Sequence, residues 1–457
     1  MSSGKKAMLV EGAVGKMLFR MAVPMVFGML GIVVFNLADT FFVAQLGTPE
    51  LAALSFTFPV VLVVGSIAMG LGVGVSAVIS RAIGKGDHNR VQRLTTDSLV
   101  LALLIVVVAV ILGIFTINPL FTQLGATPEI IALIRQYMTI WYLGAVFVIV
   151  PMVGNNAIRA TGDTKTPGMI MVVAAAINIV LDPILIFGLG PFPMLGLKGA
   201  AIATVIARAT TLIVALWVLI YRDKMVSFEL PSYKTLLASW SPVLYIGLPA
   251  AGTKIIFPFA IGVVTRLLAS YGPSAVAAFG VATRIEFFAL IAVIALSTVV
   301  GPFVGQNWAA NLYDRLELGM KYSTRFSMLW GVVLFVFLVV LARPLALLFS
   351  DDPGVVSTIV LYLWLVPISY GLQGVFQIST TALNVFHRPM HSAALTVVQM
   401  FVLYIPLTYI GSSLFGLKGI FAAIVAAYAF SGILSYLVLR RVMAGEKRRY
   451  QALNAGI

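Results

Sequence analysis

Twelve apolar runs, each long enough to cross a hydrocarbon layer of about 30 Å, divide this chain almost from end to end and leave few architectures open to it. They lie at 18–45, 51–80, 96–120, 128–152, 167–189, 197–221, 241–270, 275–305, 322–349, 355–384, 392–413 and 417–441. In lipid every backbone N–H and C=O must find its partner within the protein, so each run reads as a transmembrane helix. The chain is 61% hydrophobic and only 10% charged, far more apolar than a soluble domain of about 45–50%. An all-α integral membrane protein is expected. The first run is much longer than a signal-peptide core and is followed at once by a second, so it should remain as a helix.

The charges report orientation. On alternate-side counting, 22 of the 30 Lys and Arg fall on the side of both termini, and only Arg135, Lys198, Arg343 and Lys418 on the other. The positive-inside rule therefore puts both termini in the cytoplasm, which for a bacterial cell means the inner membrane. The net charge of +14 does not indicate nucleic acid, because that reading needs one basic soluble face and these residues are spread over many short loops. With no cysteine and only His88, His387 and His391, no disulfide, thiolate site or metal site is expected.

The polar stretch from about Tyr221 to Trp240 divides the chain into residues 1–221, a cytoplasmic linker at 222–240, and residues 241–457, and the two sides repeat. Pro24 matches Pro249, Gly47 matches Gly272 and Arg90 matches Arg315, all at a separation of 225. The tetrapeptide GLKG at Gly196–Gly199 recurs at Gly416–Gly419. Six spans is an even number, so both copies insert the same way up. Two six-helix bundles related by a pseudo-two-fold axis along the membrane normal follow, with a transport path expected between them.

Against this frame of repeats, a few residues stand out. Asp39 lies inside the first apolar run and Asp182 inside the fifth, where an ionised carboxylate costs roughly 2.5–3.5 kcal/mol on insertion scales. Their partners in the second half are Val264 and about Ile405, so folding the repeat does not require them. Asn178 precedes Asp182 by four residues and shares its helix face. Pro183 follows directly and frees a carbonyl that can bind a cation or water. Arg208, Lys254, Arg266 and Arg284 are the basic residues within spans, and Glu286 is an acid two residues beyond Arg284. Structural pairing is the first reading of Lys254, Arg266, Arg284 and Glu286. The glycine-rich Gly70–Ser76 lies inside a span with no strand before it, so it reads as close helix packing and not as a dinucleotide loop.

The motifs ADTFFVAQLG at 38–47, IRATGDTKTP at 158–167 and GLKGAAIAT at 196–204, set in the 6+6 repeat, resemble the multidrug and toxic compound extrusion (MATE) family over essentially the whole chain. The resemblance implies export of bulky, often cationic drugs in exchange for protons or sodium ions. Similarity to the DinF-like branch implies coupling at Asp39, Asn178 and Asp182, with Tyr137 and Thr204 as associates and Asn36, Asn155 and Met171 toward substrate. Pro24 becomes the hinge of the first helix. The NorM-like branch uses acids in the seventh and tenth spans, where this chain has about Phe257 and Gln373, so a second cation site there is not implied.

No phosphate-binding loop and no nucleophile elbow occurs, so neither ATP hydrolysis nor other enzyme chemistry is expected. A channel would call for rings of like residues about an axis. The expectation is therefore a monomeric exporter with small-molecule drugs and the lipid bilayer as its partners and no nucleic acid. It needs no cofactor beyond the coupling ion. Two carboxylates in a low-dielectric pocket oppose joint ionisation, so a proton is the first choice of ion. Sodium on the oxygens of Asp39, Asn178, Asp182 and Thr204 is the alternative. The remaining rival is a lipid-linked oligosaccharide flippase of the same architecture, for which a cationic cavity is expected.

Overall fold

The computed structural model describes residues 8–229 and 231–454, and among them every regular element is a helix. In the first half these are α1 (Val14–Ala44), α2 (Thr48–Gly84), α3 (His88–Gln123), α4 (Pro128–Leu143), α5 (Val146–Ala160), α6 (Lys165–Phe187) and α7 (Leu197–Trp217). The second half has α8 (Tyr233–Ala269), α9 (Pro273–Ala309), α10 (Tyr313–Leu347), α11 (Pro353–Leu365), α12 (Tyr370–Val385), α13 (Pro389–Val397) and α14 (Ile405–Asn454). Ten of the described helical stretches are long and apolar enough to span a membrane, and α4 with α5 forms an eleventh span bent by 42°. The stretch Pro389–Asn454 is two spans, because Gly416 turns the backbone out of helical geometry at φ 59° and ψ −139°. Twelve spans result.

Local chemistry sets the ends. Asp87, Thr127 and Asp352 each accept a backbone N–H from the first turn that follows, and proline stands at the first or second position of α2, α4, α9, α11 and α13. The seventh span starts at Tyr233 and not near 241. Ser232 explains the difference, since its hydroxyl accepts from Thr235 N and its carbonyl from Leu236 N, extending the helix into the polar stretch. The fourth span, expected as one continuous run, breaks at Gly144–Ala145, where a Cβ on Gly144 would press into Val205 of α7. The tenth span breaks at the repeat-related place, passing through a 3₁₀ turn at Val366–Ser369.

Contacts gather the chain into two compact units. Val23–Ala251 forms the body of one, while Leu9–Ala22 and Gly252–Ile457 form the other. In the first unit α2 packs on α5 and α6 on α7. The glycine-rich run of α2 lies against α8, and a Cβ on Gly70 would sit 2.5 Å from the Ala251 Cβ. In the second unit Phe279, Tyr362, Tyr370, Phe421 and Tyr428 sit in one continuous apolar core.

The repeat-related arginines do the same work in each unit. Arg315 donates to the carbonyls of Gly12 at 2.7 Å and Glu11 at 3.1 Å, holding the segment that leads into α1. Arg90 donates to the carbonyl of Ala238 at 3.1 Å near the start of α8.

Candidate functional site

α1 runs unbroken through Pro24 and delivers Asp39 in the second turn from its end. Pro24 has no N–H, so the Arg20 carbonyl loses its helical donor and the helix is weak at that point. α6 crosses there, because Gly168 has no side chain. A Cβ at that position would lie 2.5 Å from the Pro24 carbonyl oxygen. α6 then carries Asn178 and Asp182, both fully buried, and Asn178 Nδ2 donates to Asp182 Oδ1 at 3.0 Å. α4 supplies buried Tyr137, α5 Asn155 and α7 Thr204. The Asp39 charge reaches Asp182, and both charges reach the Tyr137 hydroxyl together with that of Arg208.

The oxygens left over are the informative ones. Among the described residues of the first unit, the buried side-chain polar atoms with no partner are Asp39 Oδ1, Asn155 Oδ1, Asn178 Oδ1, Asp182 Oδ2 and Thr204 Oγ1. A buried polar atom left without a partner costs about 1–3 kcal/mol. Four of the five oxygens carry no hydrogen when the acids are ionised, and only the Thr204 hydroxyl can donate. A proton on a carboxylate turns an acceptor into a donor, and a small hard cation satisfies several such oxygens at once. Unpartnered oxygens of this kind are what a proton or a small hard cation would satisfy.

The remaining residues singled out in the sequence sit differently. Met171 is partly exposed and its Sδ would lie 3.1 Å from a Cβ on Gly28, so it packs α6 on α1. Asn36 is exposed, and its backbone carbonyl accepts from Thr40 Oγ1 at 2.8 Å. The structure brings neither into the bonds of the carboxylate group. No cluster of three His, Cys, Asp or Glu suited to a metal occurs among the described residues.

The family model described as MatE matches residues 24–184 and, a second time, residues 249–410. The chain belongs to the MATE family. Over 434 residues it is 41% identical to a Shewanella oneidensis protein named as an FAD transporter, covering 95% of this chain and 96% of that one. It is 27% identical to the multidrug export protein MepA of Staphylococcus haemolyticus, covering 94% of each. The Vibrio cholerae MATE transporter VcmN in its bent form superposes with a TM-score of 0.90 at 30% identity, covering 95% of this chain and 98% of that one. The protein is thus a multi-pass membrane transporter of small molecules, of a family whose members are not enzymes.

The second half of this MATE transporter handles its acid differently. Glu286 on α9 is buried, and each oxygen accepts from a tyrosine: Oε2 from Tyr362 of α11, Oε1 from Tyr428 of α14 at 3.2 Å. Structural pairing was expected of Glu286, but its donors lie 76 and 142 residues away, outside any local pattern. Buried tyrosines in three consecutive late spans, Tyr362, Tyr404 and Tyr428, were the available signal. At the positions where the NorM-like branch carries acids, Phe257 is partly exposed and Gln373 accepts from Gln399 Nε2 at 2.8 Å.

Proposed function

We propose that this MATE protein is a proton-driven exporter in the inner membrane, both termini cytoplasmic, coupled through Asp39 and Asp182 as in the DinF-like branch. The observation that carries the reading is the set of five unpartnered buried oxygens in the first unit, two of them carboxylate. With the acids ionised, the pocket attracts a cation and ordered water. A proton taken up on Asp39 or Asp182 removes that attraction and supplies the missing donor to Asn178 or Asn155, which drops a drug cation and draws α1 toward α6. Pro24 is where α1 yields, since its helical bonding is already incomplete there. Tyr137 and Thr204 complete the coupling group, with Asn155, Met171 and Asn36 on the substrate side.

Transport into inverted vesicles under separate gradients tests it. Uptake of a cationic dye should follow the proton gradient and stop when that gradient is collapsed. Uptake sustained by a sodium gradient alone would assign the same oxygens to sodium, and movement under neither gradient would overturn the coupling.

A second substrate reading rests on the 41% identity to the FAD transporter, against 27% to MepA. On that reading the cargo is a flavin dinucleotide, an aromatic anion. For an anion, protonation acts through the bend of α1 and not through loss of attraction. Comparing uptake of flavin adenine dinucleotide with that of a cationic dye separates the two.

A further inference from the structure

Arg208 has no place in the coupling scheme above, yet it stands about halfway along the span Leu197–Arg222, where a cation is expected to be paired. It is not. Among the described residues no carboxylate lies within ion-pair distance of Arg208, and its guanidinium makes no hydrogen bond. Its one side-chain partner is the face of Phe35 on α1, with Cζ 4.8 Å from the ring centroid. Phe35 is itself buried, in an apolar contact with Ala175 of α6 and Ala207 of α7. Thr204 lies one helical turn before Arg208, so the two share a face, and the Thr204 hydroxyl is also unpartnered. Tyr137 is within reach of the Arg208 charge. Arg208 thus sets a charged fork against an aromatic face, with the unpartnered Thr204 hydroxyl on the same helix face and Tyr137 close enough to feel its charge.

Guanidinium is the side chain best matched to a phosphate, offering planar paired donors, and it keeps its charge in low dielectric where a lysine surrenders it. A ring resting on it can be exchanged for the flat ring of a ligand at little cost. We infer that Arg208, with Thr204 and Tyr137 beside it and Phe35 behind it, is an anion-binding residue that selects aromatic substrates bearing phosphate. The inference rests on the transporter reading and gives its second substrate class a residue. Arg208 serves recognition, and Asp39 and Asp182 serve coupling.

The test uses the purified full-length protein in neutral detergent and reads equilibrium binding of riboflavin, flavin mononucleotide, flavin adenine dinucleotide and ethidium. The three flavins share the isoalloxazine ring and differ in phosphate. The parent protein should bind both phosphorylated flavins tighter than riboflavin by about tenfold to a hundredfold, the range one charge-assisted bond gives. Arg208→Gln should erase that preference and leave ethidium binding undiminished. Arg208→Lys should keep part of it, and Phe35→Leu, which keeps the charge, most of it. A parent protein without the preference overturns the inference, as does an Arg208→Gln variant that weakens riboflavin, the phosphorylated flavins and ethidium alike. Phosphatidylglycerol retained by the parent protein, lost from Arg208→Gln, and not displaced by the phosphorylated flavins would give Arg208 to a lipid headgroup, and would overturn it too. Should Arg208→Gln fail to fold, Arg208→Lys and Phe35→Leu decide, since loss of the preference in both contradicts a charge-based contact. Failure of the coupling reading shows elsewhere, as gradient-independent transport of every probe.

Discussion

Asp182 and Glu286 are both buried acids inside apolar spans, one in each half of an internal repeat, and they differ in how far the fold supplies their hydrogen-bond donors. Both oxygens of Glu286 accept from tyrosine hydroxyls supplied by α11 and α14. One oxygen of Asp182 accepts from Asn178, its other is left over, and Asp39 adds a second leftover carboxylate oxygen on α1. Burial alone does not distinguish them. What does is whether the fold provides the donors: a satisfied carboxylate fixes helices together, whereas an unsatisfied one waits for something that arrives and leaves.

The largest effect should come from breaking that contrast at its acids. On the proposed coupling, Asp39→Asn should reduce gradient-driven transport to background with membrane insertion intact, since it removes the titratable group and keeps its shape. Asp182→Asn should do the same, or leave a small residue of activity if Asn178 holds the remaining network. Glu286→Gln should behave in the opposite way: transport per folded molecule within about twofold of the parent, but a lower melting temperature, since weakening two bonds to a buried charge costs on the order of 1–3 kcal/mol. Transport assays beside thermal melts read both. Normal transport in Asp39→Asn, or abolished transport in a well-folded Glu286→Gln, reverses the assignment of the two halves.

Gly168→Ala comes next in size. The added methyl would collide with the Pro24 carbonyl and push α6 from α1 at the hinge, so turnover should fall about tenfold, a step of about 1.4 kcal/mol in the barrier, with substrate affinity nearly unchanged. Pro24→Ala restores a donor and stiffens the helix, and a loss of a few fold in turnover is expected. Pro249→Ala, in the repeat-related position of α8, should have the smaller effect because no coupling acid lies beyond it: Val264 stands where Asp39 would be. Equal losses in the two proline variants would mean that the hinges act as a symmetric pair and not through the acid.

Much of the architecture was legible because membrane helices announce themselves locally. Twelve spans and the one-turn spacing that lets Asn178 bond to Asp182 can be read from short windows, and the repeat from comparing such windows 225 residues apart. The break in the fourth span could not, since it depends on Val205 of α7 pressing on Gly144, a contact between residues far apart in sequence. The earlier start of α8 turned on a single cap, Ser232. Of the site, the odd residues were visible as charges in lipid, but the partners of Glu286 and Arg208 were not. Tyr362 and Tyr428 for Glu286, and Phe35 for Arg208, come from other helices, and tyrosine and phenylalanine are too common in spans to be singled out.

The smallest expected effect lies outside the membrane, at the turn between α5 and α6, where the halves differ in charge. Asp163 stands there, and the residue 225 positions later is Arg388. Asp163 accepts from Thr166 N at 3.0 Å, Thr166 Oγ1 at 2.6 Å and Arg222 Nη2 at 2.6 Å. Burial pushes its carboxyl up, but the bonds from Thr166 and the Arg222 guanidinium outweigh burial and hold it below the usual carboxylate range. A carboxyl with a lower pKa folded than unfolded adds stability that is fully present above the unfolded value. That contribution is lost as pH falls through the folded value. The parent protein should therefore lose a small part of its stability in detergent as pH drops from about 6 to about 3. Asp163→Asn should start about 1 kcal/mol lower and lack that share of the acid loss. Arg388→Gln in the other half should leave the acid slope as it was. A slope unchanged in Asp163→Asn would show that the acid loss does not come from this turn.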